Sequence, residues 1–546
     1  MSPINLKAFV DACLRYAFSA NAAVGKFSVL LIACLFLVPS GTIAQSFSQA
    51  GIYPVKDYGA IPVKDSINTI PIQRAIDACA AGGGGTVYFA PGQYTSGQLY
   101  VKSNVHISLE AGAVLYASTN PDHFKKTMGI YEADNQLNTP NETCLLYADN
   151  VINVSITGKG TIHGQASRVW EPLQKVDMFI EQETLNARES GIEMKRFYAN
   201  NPKVKLVFIN RAKNITVRDI TIEESPDWSL HIGNADNVLI DGVTIFSSLE
   251  KGVNADGIDI DGCKNVRISN CNISTGDDAI CLKSTVRNGQ YNSCENIVIN
   301  NCTLESTSAA LKIGTETHGD FRDIIFSNCI IRNSNRGINI VVRDGATVEN
   351  ILFTNLFIEC NRKHFNWWGD GDPIRFILLK REAGSRLGAI RNITVRNVVA
   401  RGQGTNLIQG YPGRQLENIT FENVAITLEA ESLPDKRTTD LLAFKWIKGL
   451  KLQNLQLNWD TAKGIEPKWS TALNILQCEN IRLRQLEFQT AISNRKLIKL
   501  DKVNRGVVEQ ISAWNSSAID AIIQNNTSQI IIKDIQTMEN LKTKTR

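Results

Sequence analysis

Residues 252–284, GVNADGIDIDGCKNVRISNCNISTGDDAICLKS, set Asp256, Asp277 and Asp278 among apolar residues with the character of a core. Carboxylates crowded into one patch repel, so at least one pKa rises and a protonated acid stands beside ionised bases. Cleavage of a glycosidic bond needs that division of labour: an acid for the departing oxygen and a base to activate water. Two other readings compete. Aspartate is common in solenoid turns because its side chain satisfies turn amides, and Asp241, Asp261 and Asp323 are expected to be of that kind. Clustered carboxylates also bind hard cations such as calcium. The glycosidic reading ranks above this, and no metal or other cofactor is expected.

What brings these acids together must come from the chain around them, which is written in repeats. NITVRDITIEES, NVLIDGVTIFSS, NVRISNCNISTG, NIVINNCTLEST, DIIFSNCIIRNS and NILFTNLFIECN share one pattern, and it recurs every 23 to 31 residues from Asn214 to Asn350. Alternating apolar residues over such short lengths are strands. Each repeat supplies two strands about an Asn/Asp turn and then a third, such as LHIG, IDIDG, ICLKS, LKIGT or INIVV. One unit cannot bury its own apolar face, so units must stack, each strand pairing with its counterpart one rung away. The prediction is an all-β fold, a single-stranded right-handed parallel β-helix, with rungs about 4.8 Å apart. The N-x-S/T triplets fall on the repeated turn and read as turn chemistry. An open solenoid end needs covering. DSINTIPIQRAIDACAAGGGG supplies a helix in which Ile72, Ala75, Ile76 and Cys79 recur at helical spacing, with Asp65 or Ser66 as its N-cap. Insertions are expected at 165–203, charged and helical, and at 361–386. The repeats become irregular from about Ala430 but continue through NIRLRQLEF and QIIIKDIQT.

Aligning the third strands on Leu230, Ile258, Ile280, Leu311 and Ile338 points those residues inward. His231, Asp259, Cys281, Lys312 and Asn339 then form an outward column. A second column, just ahead of each strand, holds Trp228, Asp256, Asp278, Ala309 and Arg336. Asp256 and Asp278 thereby become vertical neighbours, with Asp277 on the same rung as Asp278.

The bulk properties narrow the function classes. With 43% hydrophobic residues, 21% charged residues and a formal charge of +4 over 546 residues, the chain is globular and has no nucleic-acid footprint. Lys7, Arg15 and Lys26 precede an apolar run, Phe27 to Val38, and small residues lead to Ala44; residues 1–44 are expected to be a secretory signal and 45–546 one catalytic domain. A lipoprotein-type site at Cys34 is the lesser alternative. The expected protein is secreted or periplasmic, monomeric and without an integral span. Among the 12 cysteines, Cys271, Cys302 and Cys329 occupy one slot of the repeat, which fits a buried column better than disulfides. A bridge between Cys79 and Cys144 stays open.

The ordered phrases SPDWSLHI, NADGIDIDGC, TGDDAICLKS, IGTETHGDFRDI and NRGINI…RDGATVENI, together with ITGKGTIHGQ upstream, resemble glycoside hydrolase family 28, the polygalacturonase and rhamnogalacturonan hydrolase family. The likeness runs from about Val55 to Leu428, with His163 where the family usually has Asp. It implies inverting hydrolysis of pectic polysaccharide by Asp256, Asp277 and Asp278, with Asp277 as general acid and the other two placing and deprotonating water. Inversion expects about 6.5–9.5 Å between acid and base.

Two departures bear on substrate. Ser308 stands where the family has a histidine, a role His231 or His318 would take. Asn339-Ile340-Val341 stands where the family's Arg and Lys grip a galacturonate carboxylate at the +1 subsite. Arg343 or Lys312 would have to compensate, and a neutral sugar such as rhamnose is favoured there. Further substrate contacts are expected from Asp259, from Lys283 as a uronate ligand, and from Trp367 and Trp368 as a stacking platform. Trp228 is read as a wall of the site or the plug of a rung. Two alternatives use the same fold: a polysaccharide lyase, and a non-catalytic carbohydrate-binding or adhesin solenoid.

Overall fold

Six strands of one face show how the repeat folds. Lys213–Arg218, Asp236–Asp241, Lys264–Ser269, Cys294–Asn300, Phe321–Ser327 and Thr347–Cys360 pair in parallel, each with the next. Ile215, Val238, Val266, Ile297, Ile324 and Ile351 are all in register and at most 1% exposed. Period-2 alternation therefore becomes a continuous stack inside the solenoid. This architecture comes from a computed structural model that describes residues 51–124, 143–172, 185, 187–191, 198–287, 289–363, 369–489, 492, 495–514 and 522–538. The leader expected at 1–44, with Cys34, and the platform expected at Trp367 and Trp368 lie outside the described residues.

The repeated asparagine explains how the chain turns between strands. Asn214, Asn237, Asn350, Asn392 and Asn418 all hold φ between 55° and 60°, a left-handed conformation that Asn tolerates better than most residues. Their side chains form ladders: the amide of Asn237 donates to Asn214 at 2.9 Å, Asn392 to Asn350 at 3.1 Å and Asn418 to Asn392 at 3.0 Å. Turn chemistry is what these residues do.

A second face carries Thr221–Glu223, Thr244–Phe246, Asn272–Thr275 and Thr303–Ser306. The third is a ladder of 14 parallel strands running from Leu99–Tyr100 to Ile522–Asn525. The fold is a parallel β-helix, and its rungs continue through the irregular C-terminal region to Ser528–Met538. Ten cysteines among the described residues are free and buried, Cys79 and Cys144 included. Cys271, Cys302 and Cys329 each donate to the carbonyl two residues earlier at 3.2 Å, the same placement on three rungs.

Three expectations need correction. The N-terminal helix spans Thr69–Ala81 and buries Ile72, Ala75, Ile76 and Cys79 as its spacing requires, but its N-cap is Asn68 rather than Asp65 or Ser66. The Asn68 side chain is turned to the preceding loop, where it bonds Ile61 and Ser66. The insertion at 165–203 is helical at 185 and 187–189, as expected, but it opens and closes with an antiparallel strand pair, Trp170–Pro172 with Tyr198–Asn200. The insertion at 361–386 contains a regular third-face rung, Asp372–Leu378, because Ile374, Phe376 and Leu378 alternate inward and are fully buried. No helix of the described residues is long and apolar enough to cross a membrane.

Candidate active site

The third face builds the site from five consecutive rungs. Leu230, Ile258, Ile280, Leu311 and Ile338 are register partners and point inward. His231, Asp259, Cys281, Lys312 and Asn339 form the outward column, and Arg375 extends it by one rung. Backbone bonds from Ser229 to Asp256, from Gly257 to Asp278 and from Ala279 to Ala309, at 2.9, 2.9 and 3.0 Å, align the second column just ahead of the strands. Gly257 is required between the two acids: a Cβ there would lie 2.4 Å from the Ala279 carbonyl oxygen.

One carboxylate oxygen from each of Asp256, Asp277 and Asp278 lies within 4.8 Å of the others. The stacking argument therefore holds, although two features of the cluster differ from expectation. The acids point away from the solenoid core but are not open to solvent, being 2%, 5% and 1% exposed. Long side chains from neighbouring rungs, Lys283, Lys312 and Trp228 among them, close around them because rungs are only about 4.8 Å apart. These oxygens also lie nearer than the general inverting separation, since two of the acids are adjacent in sequence and the third is one rung away.

Hydrogen bonding divides the three acids. Asp278 accepts from Ser308 Oγ at 2.8 Å, from the Ala309 amide at 3.2 Å and from Lys312 Nζ at 2.5 Å. Burial alone would raise its pKa, but the ammonium groups of Lys312 and Lys283 and these bonds hold it below the ordinary carboxylate value. Asp277 accepts only from the amides of Asn254, at 3.1 Å, and Asp278, at 2.9 Å. Burial, then the charge on Asp278, push it up to about 6. Burial and the neighbouring Asp259 and Asp277 raise Asp256 well above its usual range, and its Oδ1 has no hydrogen-bond partner. Below about pH 6 one ionised carboxylate thus lies beside two that retain protons. Calcium wants six to eight oxygens, whereas Asp278 has committed both of its own and two lysine ammoniums already neutralise the patch.

The other sequence-predicted residues separate into two groups. Asp259 joins the cluster: its Oδ1 is 3.6 Å from Lys283 Nζ, and burial pushes its carboxyl up to about 8 against that ammonium. Lys283 and Lys312 are each paired with carboxylates of the protein. Lys283 sits 3.7 Å from Asp256, 3.6 Å from Asp259 and 3.4 Å from Glu316, and Lys312 holds Asp278. His231 is sealed in a separate network, fully buried, with Nδ1 3.2 Å from Lys205 Nζ and Nε2 3.3 Å from Asp261 Oδ2. Burial and the Lys205 charge push its pKa well down, so the ring is neutral. It stacks on Phe208 at 4.3 Å and meets Trp228 edge-on at 4.7 Å. Asp261 belongs to that network, pairing Arg287 at 2.5 Å, and is not a simple turn residue as expected. His318 lies beyond the strand Ala309–Thr317, 3.9 Å from Asp344. Arg343 follows the strand Arg336–Val342, and its amide donates to Thr317 at 2.9 Å.

Sequence reasoning missed the contacts of Ser308, Glu316 and Arg375, and left Trp228 as either a wall or a plug. Ser308, noticed only as a missing histidine, bonds Asp278 directly. Glu316 reaches Lys283 through an irregular register after Leu282 that no pattern announces. Trp228 is half-buried and has Lys205 at 4.0 Å and Lys283 at 4.8 Å from its ring centroid, so it walls the cluster. Arg375 lay inside the supposed insertion; its signal was the alternation Ile374, Phe376, Leu378.

Fold and cluster together define a parallel β-helix protein with a buried, electrostatically divided carboxylate centre on one outer face. Residues 118–363 match the sequence profile of Glycosyl hydrolases family 28. An endo-polygalacturonase of Pectobacterium carotovorum subsp. carotovorum is 28% identical over 264 residues, 46% of this chain and 60% of that protein. An exo-poly-alpha-D-galacturonosidase of Dickeya chrysanthemi is 24% identical over 253 residues, 41% of each chain. The chain spans about half the length of the curated relatives it matches, 43% and 60% for the first two. Among solved structures, an exopolygalacturonase from Thermotoga maritima aligns with a TM-score of 0.57 and 22% identity over 74% of this chain and 91% of that one. A family 28 exopolygalacturonase of Yersinia enterocolitica gives 0.56 and 19% over 79% and 78%. These two likenesses bear on the fold.

Proposed function

We propose that the protein is an exported glycoside hydrolase that cleaves α-glycosidic bonds of galacturonate-containing pectic polysaccharide with inversion. The carrying observation is the protonation split across three carboxylates whose oxygens lie within 4.8 Å. Asp277, the least buried of the three, gives its proton to the departing glycosidic oxygen. Asp278, kept ionised by Lys312, takes a proton from water. Asp256 holds that water through its unpartnered Oδ1. Two hydrogen bonds of about 2.8 Å meeting at one water span close to 4.8 Å, so the compact cluster admits a single bridging nucleophile. The relatives named above, which are polygalacturonases, support the substrate class.

Within that class, the +1 sugar is neutral. Asn339 and Val341 carry no charge, and the two nearest lysines are already committed to carboxylates of the protein. A rhamnogalacturonan-type chain satisfies this. The test is proton NMR of the first-formed anomer from rhamnogalacturonan and homogalacturonan fragments. Inverted product from the former supports the proposal. Retained configuration, an unsaturated ultraviolet-absorbing product, or cleavage of homogalacturonan alone counts against it.

A further inference from the structure

Beyond Asn339 the outward column continues in a way that the +1 position does not explain. Asn339 and Arg375 are direct register partners on adjacent rungs. Asn339 is 1% exposed, and its side-chain oxygen is a buried acceptor without a donor. Arg375 is half-buried, and its Nε is a buried donor without an acceptor. The two do not satisfy each other, and an unmet buried polar group costs about 1–3 kcal/mol. Arg336, on the preceding rung, is paired with the buried Asp372 at 3.1 Å, and Asp370, the other acid near Arg375, is paired with Arg437 at 3.3 Å. Among the described residues Arg375 makes no ion pair, and it stands beside the Arg336 guanidinium.

We propose that Asn339 and Arg375 form a two-part subsite for adjacent sugars of opposite character: a neutral sugar whose hydroxyl donates to Asn339, and a uronate whose carboxylate is gripped by Arg375. This rests on the reading of the protein as a pectic glycosidase and deepens it. Arg375 is three rungs from the acid pair through Lys312 and Asn339, about 14 Å at 4.8 Å a rung. That exceeds one pyranose ring, so the uronate recognised is not the sugar whose bond breaks. A chain in which neutral and acidic sugars alternate matches both halves of the subsite, and planar bidentate recognition of a carboxylate is what arginine does best.

The experiment uses the full chain carrying Asp277→Asn, so that oligosaccharides bind without being consumed. The probes are an oligosaccharide of alternating rhamnose and galacturonate and the same oligosaccharide with its carboxyls reduced. Adding Arg375→Gln is expected to weaken binding of the acidic probe at least 10-fold in calorimetry and to leave the reduced probe unchanged. Arg375→Lys, which keeps the charge but loses the fork, is expected to fall between, and serves alone if the glutamine variant does not fold. Equal affinity of parent and either variant for the acidic probe, an equal loss for both probes, or no binding of either probe to the Asp277→Asn protein overturns the proposal. Cleavage by the unmutated protein is scored separately: a hydrolase without an Arg375 effect refutes the subsite alone, and an Arg375 effect without hydrolysis refutes the catalytic reading alone.

Discussion

Lys312 Nζ lies 2.5 Å from Asp278 Oδ2, although the two residues are 34 positions apart in the chain. Their strands are neighbours on the third face, and the contact sets which acid of the cluster is ionised. It also accounts for a lysine in a place where substrate recognition was expected.

Removing that ammonium has two separable effects. In Lys312→Met a buried carboxylate loses its partner, which typically costs about 3–5 kcal/mol. The pKa of Asp278 rises at the same time, so the acid limb of the pH–rate profile moves to higher pH. Adding Asp278→Asn should restore most of the thermal stability and abolish the activity. Thermal melting of the two variants beside the parent checks this.

Asp277→Asn keeps the shape of the side chain and removes the transferable proton. General acid catalysis contributes about 10²–10⁴-fold, and a loss of that size in kcat is expected with an unchanged circular dichroism spectrum. Activity within threefold of the parent would exclude Asp277 as the acid.

The pH–rate profile follows from the same pair. The proposed mechanism needs Asp278 ionised, which its lowered pKa secures down to mildly acidic pH, and Asp277 protonated. The rate should therefore decline as pH rises through about 6, where Asp277 ionises. A profile of kcat between pH 4 and 8 shows whether the alkaline limb falls there.

Asp259 predicts an effect on stability. Its carboxyl is raised to about 8 in the fold, against about 3.9 in an unfolded chain. The fold favours its protonated form, so its contribution is complete below about pH 4 and is lost as pH rises through about 8. Asp259→Asn should therefore gain stability relative to the parent between pH 6 and 9. Melting temperatures across that range test the sign.

The asparagine ladder offers a test of the scaffold. Asn392 holds φ 55°, donates to Asn350 at 3.1 Å and accepts from Asn418 at 3.0 Å. Asn392→Ala should cost about 2–3 kcal/mol, combining left-handed strain with two lost ladder bonds. Asn392→Gly removes the strain and should cost less, and the difference between the two melting curves isolates it.

Much of this was legible in the chain. The period of the repeats fixed the solenoid, because a unit with one apolar face has to stack. Alternation within the third strands fixed the register, and with it the meeting of Asp256 and Asp278. What the pattern could not carry was the side-chain reach between rungs. Lys283 and Lys312 read as free cations because nothing local shows that their stems span one rung to a carboxylate. His231 read as outward and available, yet Phe208 and Lys205 from the adjoining rung and Trp228 from its own enclose it. Arg375 was hidden because two glycines ahead of its strand and a proline at the strand's second position resembled a loop.

The sequence by itself determined the architecture and the identity of the clustered acids, since both follow from periodicity and backbone pairing, which repeat from rung to rung. Only the tertiary structure decided which acid keeps a proton, which lysine is already spent and where an arginine stands without a partner. Those depend on burial and on contacts of a few ångströms between side chains, which vary at every rung and leave no period in the chain.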